Sequence, residues 1–110
     1  MRDEGGGGMT FVQLIEFESS RADEMAELDK KWAERAGDSA RASRAMVVKD
    51  RDRENHYYVI IEFPSYEEAM ANNDLPATQE FAAGFRKLVD GEPKYVNTDV
   101  VVEPDRYHTA

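Results

Sequence analysis

The sequence predicts an α+β fold, because its hydrophobic patterns follow the order β-α-β-β-α-β. Two alternating apolar segments, residues 10 to 17 and 56 to 63, each run into a segment with helical spacing. Two further β-rich stretches, residues 43 to 49 and 94 to 102, complete the series. This order is typical of a ferredoxin-like unit with a four-stranded antiparallel sheet and helices on one face. It restricts the architecture strongly and the function hardly at all.

The length of 110 residues fits one domain with a core of its own. We expect residues 9 to 103 to form that domain and residues 104 to 110 to be a polar tail. Residues 1 to 8 contain four consecutive glycines and no apolar signal core, so we interpret them as a flexible leader. Met1 and Met9 both remain candidates for the native start.

The composition excludes several classes of function. Lys and Arg number 14 against 23 Asp and Glu, and the formal charge of -9 opposes binding to nucleic acids and to anionic membranes. The absence of cysteine excludes disulfides and thiolate chemistry. No apolar run is long enough to span a bilayer, and no metal-ligand spacing or phosphate-binding loop is present. We therefore expect a cytoplasmic protein without a metal or a cofactor.

The first strand and the first helix follow each other closely. The apolar segment from Thr10 to Glu18 ends at Ser19 and Ser20, which are favourable N-cap residues. From Arg21 to Ala36, apolar residues recur every three or four positions, and Gly37 ends the pattern. This pattern predicts one amphipathic helix.

A hairpin and a broken helix are predicted in the second half. A charged turn, residues 50 to 55, separates the second strand from His56–Phe63, the strongest strand in the chain. Ser65 begins a helix, residues 72 to 76 interrupt it, and Phe81 and Phe85 resume helical spacing. Tyr95 to Val102 alternates as the last strand. We therefore expect the second helix to be divided into two.

The alternation within each strand predicts which face meets the helices. We expect two sets of residues to face the helices: the apolar parity of residues 56 to 63, and the even positions of the last strand from Val96 to Val102. The opposite face is mixed. We place on it the following residues: Phe11, Gln13, Ile15, Phe17, His56, Tyr58, Ile60, Glu62, Tyr95, Asn97, Asp99 and Val101. A contiguous patch of Phe11, Ile15, Phe17, Tyr58 and Ile60 is too apolar for a soluble monomer, so we expect a homodimer that packs sheet against sheet.

The order of elements, the segment HYYVIIEFPSYEEAM and the segment NNDLPATQEFAAGF resemble the dimeric α/β-barrel superfamily. This superfamily includes antibiotic-biosynthesis monooxygenases and stress-responsive A/B-barrel proteins. The resemblance extends from Met9 to Glu103 and implies a homodimer with a small-molecule cavity between the sheet and the helices of each protomer. Some members oxidise or cyclise aromatic or polyketide substrates without metal or flavin, and others degrade haem.

The chain departs from these relatives at residues that carry their chemistry. Polyketide-cyclising members have a histidine where Thr78 stands and a tyrosine where Asn72 stands. Haem-degrading members use a histidine on the second helix, whereas residues 69 to 88 contain none. The resemblance therefore implies neither their acid/base pair nor haem.

His56 and Tyr58 are the candidate catalytic residues. Imidazole titrates near neutral pH, and His56 begins a strand that we expect to be central. Tyr58 could donate a proton to a substrate oxygen, although an interface tyrosine more often serves packing. A solvated role for His56 at the start of its strand stays open. His108 lies in the polar tail, and we expect it to be inert.

Four further residues are candidate ligand-binding residues. Gln13, Asn97 and Asp99 are polar residues on largely apolar strands and need hydrogen-bond partners if buried. A cavity lining and an interface network explain them equally well. Trp32 lies on the apolar stripe of the first helix, where it packs in the core or stacks on an aromatic ligand.

Two hypotheses remain open at this stage. One is a cofactor-independent monooxygenase or cyclase acting on a hydrophobic aromatic or polyketide-like substrate, with His56 or Tyr58 assisting proton removal. The other is a non-catalytic homodimer that binds a small apolar ligand or acts as an accessory protein.

Overall fold

The computed structural model describes residues 10 to 37 and 41 to 102. The predicted leader, the choice between Met1 and Met9, the polar tail and His108 lie outside this part of the chain. Seven elements follow in order: β1 (Phe11–Glu18), α1 (Ala22–Ala36), β2 (Arg44–Lys49), β3 (His56–Phe63), α2 (Tyr66–Asn73), α3 (Pro76–Leu88) and β4 (Lys94–Asp99). No helix in the described residues is both long and apolar enough to cross a membrane.

The four strands form one antiparallel sheet in the order β2-β3-β1-β4. β1 occupies an interior position, where Ile15 lies opposite Val59 of β3 and opposite Tyr95 of β4. β2 and β3 form the predicted hairpin, with Val47 opposite Val59. The predicted ferredoxin-like βαββαβ fold, with its helices on one face, is thereby confirmed.

The start of α1 differs from the serine cap predicted from the sequence. Arg21 is the N-cap residue, and its side chain makes no capping hydrogen bond. Ser19 instead accepts a hydrogen bond from the Arg21 backbone N–H and donates one to the carbonyl oxygen of Leu88 at 2.8 Å. The buried hydroxyl thus joins the end of β1 to the end of α3. At the other end of α1, Gly37 has a φ of 51°, a conformation that favours glycine.

The second helical region is divided in two, as predicted. Ser65 caps α2 by accepting a hydrogen bond from the backbone N–H of Glu68. α2 ends at Asn73, and α3 begins at Pro76, whose fixed φ suits the first helical turn. α1 and α3 pack against each other, and α2 lies against β3.

The core shows that the predicted facing of β1 was wrong. Ile15 and Phe17 are buried in a cluster with Met25, Phe85 and Leu88 from the helices. Phe11 is buried with Phe63 and Ala69 in a second cluster. Residues directly opposite each other in a sheet share a face, so Gln13 also lies on the helix side. The first half of β1 is apolar on both parities, and only Glu16 and Glu18 mark the even parity as the one that faces away from the helices.

The predicted facing of the last strand was also wrong. Asn97 lies opposite Gln13 and Asp99 opposite Phe11, which places both on the helix side together with Tyr95. Val96 therefore faces away from the helices. β4 ends at Asp99 rather than at Val102, and Val101 and Val102 beyond it are exposed.

Candidate functional site

The predicted catalytic residues His56 and Tyr58 lie on the sheet face that points away from the helices, which we call the open face. There they belong to a cluster that we call the polar corner, which comprises Glu16, Asp50, Arg53, His56 and Tyr58. Strand pairing brings Glu16 of β1 opposite Tyr58 of β3, which also carries His56, and the turn after β2 supplies Asp50 and Arg53. The cluster therefore combines side chains from three segments of the chain.

Hydrogen bonds connect the members of the polar corner. The Tyr58 hydroxyl donates to Asp50 Oδ2 at 2.8 Å and accepts from Arg53 Nη2 at 2.8 Å. Arg53 Nη2 also lies 3.3 Å from Glu16 Oε2. The Tyr58 hydroxyl therefore already donates its proton to one hydrogen bond within the protein and accepts another.

His56 is the most buried member of the polar corner, with 7% of its surface exposed. Its Nε2 lies 2.7 Å from Glu16 Oε2, and the carboxylate accepts the N–H. Its Nδ1 is buried and has no hydrogen-bond partner among the described residues. The nearest carboxylate to Nδ1 is that of Glu18, at 3.7 Å.

Electrostatic interactions within the polar corner favour its carboxylates in the ionised form. The backbone N–H of Asp52 and the Tyr58 hydroxyl lower the pKa of Asp50 to about 2. The hydrogen bond from His56 lowers the pKa of Glu16, and the hydrogen bond to Asp50 raises the pKa of Tyr58. A tyrosine held in its neutral form and already bound to a carboxylate is poorly placed to act as a base.

An apolar row crosses the open face beside the polar corner. Leu14 lies opposite Ile60 and opposite Val96, and Ile60 lies opposite Met46. One apolar side chain from each strand therefore aligns across the sheet. Met46 is 40% exposed and Val96 is 37% exposed.

A cavity of about 210 Å³ that is open to solvent on one side lies between α1 and α3, on the opposite side of the molecule from the open face. We call it the aromatic cavity. It is lined by Leu28, Lys31, Trp32, Arg35, Ala77, Glu80 and Phe81. The rings of Trp32 and Phe81 meet edge to face, with centroids 6.4 Å apart.

The indole of Trp32 is held in place by a hydrogen bond. Its Nε1 donates to Thr78 Oγ1 at 3.1 Å. Arg35 of α1 and Glu80 of α3 form an ion pair across the cavity rim. Trp32 is thus the only predicted site residue that lines the aromatic cavity.

The other three predicted ligand-binding residues form a polar strip on the helix side of β1 and β4. Gln13 Nε2 donates to Asn97 Oδ1 at 3.2 Å, so these two side chains are partners of each other. Asp99 is exposed on the same face, opposite Phe11. The structure therefore separates the predicted site residues into three places: the polar corner, the polar strip and the aromatic cavity.

The two positions that depart from the cyclising relatives have structural contacts. Thr78 accepts the hydrogen bond from Trp32. Asn72 is buried, and its Oδ1 accepts a hydrogen bond from the Arg41 backbone N–H at 3.3 Å. Among the residues described, no group of three or more His, Cys, Asp or Glu could hold a metal ion.

Sequence reasoning missed Glu16, Asp50 and Arg53 as partners of the predicted catalytic pair, and Phe81 as a wall of the cavity. Glu16 carried a usable signal, because it is a charged residue within an apolar strand. Arg53 carried none, since a charged turn is ordinarily solvated.

No protein-family model matches the chain. No curated protein sequence matches it either. Similarity appears only when solved structures are compared, and there it is extensive.

A mutant of SnoaB, a cofactor-independent oxygenase from Streptomyces nogalater, superposes with a TM-score of 0.75 at 13% identity, over 88% of this chain and 98% of that one. A Caulobacter crescentus protein that is provisionally named an antibiotic biosynthesis monooxygenase superposes with a TM-score of 0.75 at 12% identity, over 86% of this chain and 92% of that one. A Nitrosomonas europaea protein with the same provisional name superposes with a TM-score of 0.71 at 10% identity, over 89% of this chain and 96% of that one. The chain therefore shares its fold with these solved structures, two of which carry antibiotic biosynthesis monooxygenase names.

Proposed function

We propose that this protein is a homodimer that binds a small aromatic molecule in the aromatic cavity. The observation that carries this proposal is the pair of rings, Trp32 and Phe81, at the wall of a cavity of about 210 Å³. Aromatic walls with a few polar groups are typical of small-molecule sites.

The volume of the cavity favours a ligand with a single ring. An apolar cavity of roughly 150 Å³ accommodates benzene, whereas sites for drug-sized molecules span about 300–1,000 Å³. At about 210 Å³, the aromatic cavity has room for one ring and a small substituent. A polycyclic substrate of the kind implied by the family resemblance would extend beyond the aromatic cavity into solvent.

The preorganised indole supports binding of an aromatic ring. Because Thr78 accepts the Nε1–H of Trp32, the indole is held without contacts from a ligand. A wall already fixed in one orientation loses less conformational entropy when a ligand binds.

The proposed dimer packs the open face against that of a second copy. The apolar row presents Met46, Ile60, Leu14 and Val96 on the side of the sheet opposite the helices. A contiguous apolar patch of this kind is typical of an interaction surface, and a twofold axis would pair the patch with itself. The likeness to dimeric α/β-barrel structures agrees with this arrangement.

Fluorescence of the single tryptophan tests the binding proposal directly, because Trp32 is the only tryptophan in the chain. Titration with benzamide, a neutral single-ring probe, should give a saturable change in emission. Ala77→Leu adds bulk to the cavity lining and should weaken binding about tenfold. Ala83→Leu, on the exposed side of α3, is the matched control and should bind like the parent. A parent protein that shows no saturable change with benzamide or with benzoate would contradict the proposal.

A cofactor-independent monooxygenase or cyclase is the second candidate function, favoured by the structural likeness to SnoaB. Oxygen uptake and product formation with single-ring phenols would test it. His56 and Tyr58 do not line the aromatic cavity. If catalysis takes place there, His56→Ala and Tyr58→Phe should keep the parent rate; if the open face is the site, both should lose it.

A further inference from the structure

We infer that the ligand of the aromatic cavity is an aromatic carboxylate, with its ring against Trp32 and Phe81 and its carboxylate at Lys31. This inference deepens the proposed function and rests on it. The argument comes from the charges and hydrogen bonds of the cavity lining.

The lining carries an unbalanced positive charge. It contains two cations, Lys31 and Arg35, and one anion, Glu80. Arg35 and Glu80 form an ion pair with each other. No ion pair joins Lys31 to a carboxylate within residues 10 to 37 and 41 to 102. Its ammonium is therefore available to bind the polar group of a ligand.

Neutral hydrogen-bond donors are scarce in the same lining. The Nε1–H of Trp32 is already donated to Thr78. The side chains of Leu28, Ala77 and Phe81 offer no donor or acceptor. The Lys31 ammonium has three N–H donors and no acceptor, so it selects an acceptor and favours an ionised one.

A carboxylate fits these conditions better than a phenol. Carboxylic acids are ionised at neutral pH, whereas a phenolic hydroxyl has a pKa of about 10 and stays neutral. The overall charge of -9 repels anions at long range. At about 0.15 M salt the Debye length is roughly 8 Å, so the nearest charge, that of Lys31, has the larger effect inside the cavity.

The test compares benzoate with benzamide, which have the same ring and nearly the same shape. With the full-length protein at 0.15 M salt, Trp32 emission should report benzoate binding about tenfold tighter than benzamide, the advantage expected for a charge-assisted hydrogen bond. Lys31→Met should remove this preference, because it should weaken benzoate binding far more than benzamide binding. Lys31→Arg should retain it.

Lys30→Met is the matched control, because Lys30 is exposed on the same helix and does not line the cavity. It should keep the parent preference. Equal affinities for the two probes in the parent, or an unchanged preference in Lys31→Met, would overturn the carboxylate inference while leaving the proposed cavity intact. Failure of both probes to bind would overturn the proposed function itself.

Discussion

His56 Nε2 lies 2.7 Å from Glu16 Oε2, although the two residues are diagonal neighbours across β1 and β3 rather than direct partners. The same carboxylate oxygen lies 3.3 Å from Arg53 Nη2. The His56 imidazole and the Arg53 guanidinium therefore both contact Glu16 Oε2, at the edge of the apolar row. This convergence holds the turn between β2 and β3 against the open face.

The polar corner predicts destabilisation by acid. The pKa of Asp50 is lowered from 3.8 to about 2 in the folded protein, and that of Glu16 is lowered from 4.5. A carboxylate with a depressed folded pKa stabilises the fold above its unfolded pKa and loses this contribution as the pH falls through the folded value. The free energy of unfolding should therefore fall between about pH 4.5 and pH 2. Asp50→Asn should show a shallower fall in urea denaturation than the parent.

Asp52→Asn is the control for this measurement, since the Asp52 side chain is exposed in the same turn and only its backbone N–H contacts Asp50. Its pH dependence should follow that of the parent. If Asp50→Asn also follows the parent, the polar corner does not determine the acid limb.

The apolar row predicts the effect of a charge on assembly. Leu14→Lys should place an ammonium at the centre of the open face and prevent sheet-to-sheet association, because burying an unpaired charge is costly. Sedimentation equilibrium should show a dimer for the parent and a monomer for Leu14→Lys. Ala83→Lys, which adds a charge at an exposed position on α3, should remain dimeric. A parent that sediments as a monomer at high concentration would reject the dimer.

Substitution of Ser19, which does not line the aromatic cavity, is predicted to destabilise the fold. Its hydroxyl is fully buried and donates to the Leu88 carbonyl oxygen at 2.8 Å. Ser19→Ala leaves this carbonyl without its donor and should lower the free energy of unfolding by about 1–3 kcal/mol. Ser20→Ala, at the exposed neighbouring position, should change it by less than about 0.5 kcal/mol. Equal effects of the two substitutions would contradict the proposed role of the hydroxyl.

Substitution of Gly84 is predicted to weaken ligand binding without a large change in the free energy of unfolding. A Cβ at this position would lie 2.8 Å from Leu28 Cδ1, so the leucine side chain would have to move within the cavity that it lines. Alanine also raises helix propensity by about 1 kcal/mol relative to glycine, which offsets the crowding. Gly84→Ala should therefore stay within about 1 kcal/mol of the parent in urea denaturation and bind benzoate more weakly. Unchanged benzoate affinity would show that Leu28 has room elsewhere.

The fold could be predicted because local patterns and topology agree. In β3 one parity contains Tyr57, Val59, Ile61 and Phe63, so the face that meets the helices is evident from the sequence. The first half of β1 is apolar on both parities, since Val12 and Leu14 alternate with Phe11 and Ile15, and only Glu16 and Glu18 mark the even parity as polar. The pairing with β3 confirms that the even parity faces away from the helices.

The candidate sites were less accessible from sequence. Trp32 was recognised from its position on the helical stripe, but its cavity depends on how closely α3 approaches α1, which periodicity does not encode. The contact between His56 and Glu16 is a diagonal one and requires the register of two strands separated by 40 positions. Such contacts are properties of the assembled sheet.

The position of β1 between β3 and β4 has a consequence for synthesis of the chain. Phe11 lies opposite Phe63 and also opposite Asp99, so the first strand made needs one partner from mid-chain and another from near its end. At a translation rate of about 5–20 residues per second, several seconds pass between the synthesis of β1 and that of β4. One edge of β1 is unpaired during that time. The nascent protein therefore exposes a strand edge to the ribosome surface and to chaperones until β4 emerges, and late truncations should yield aggregating chains rather than smaller folded domains.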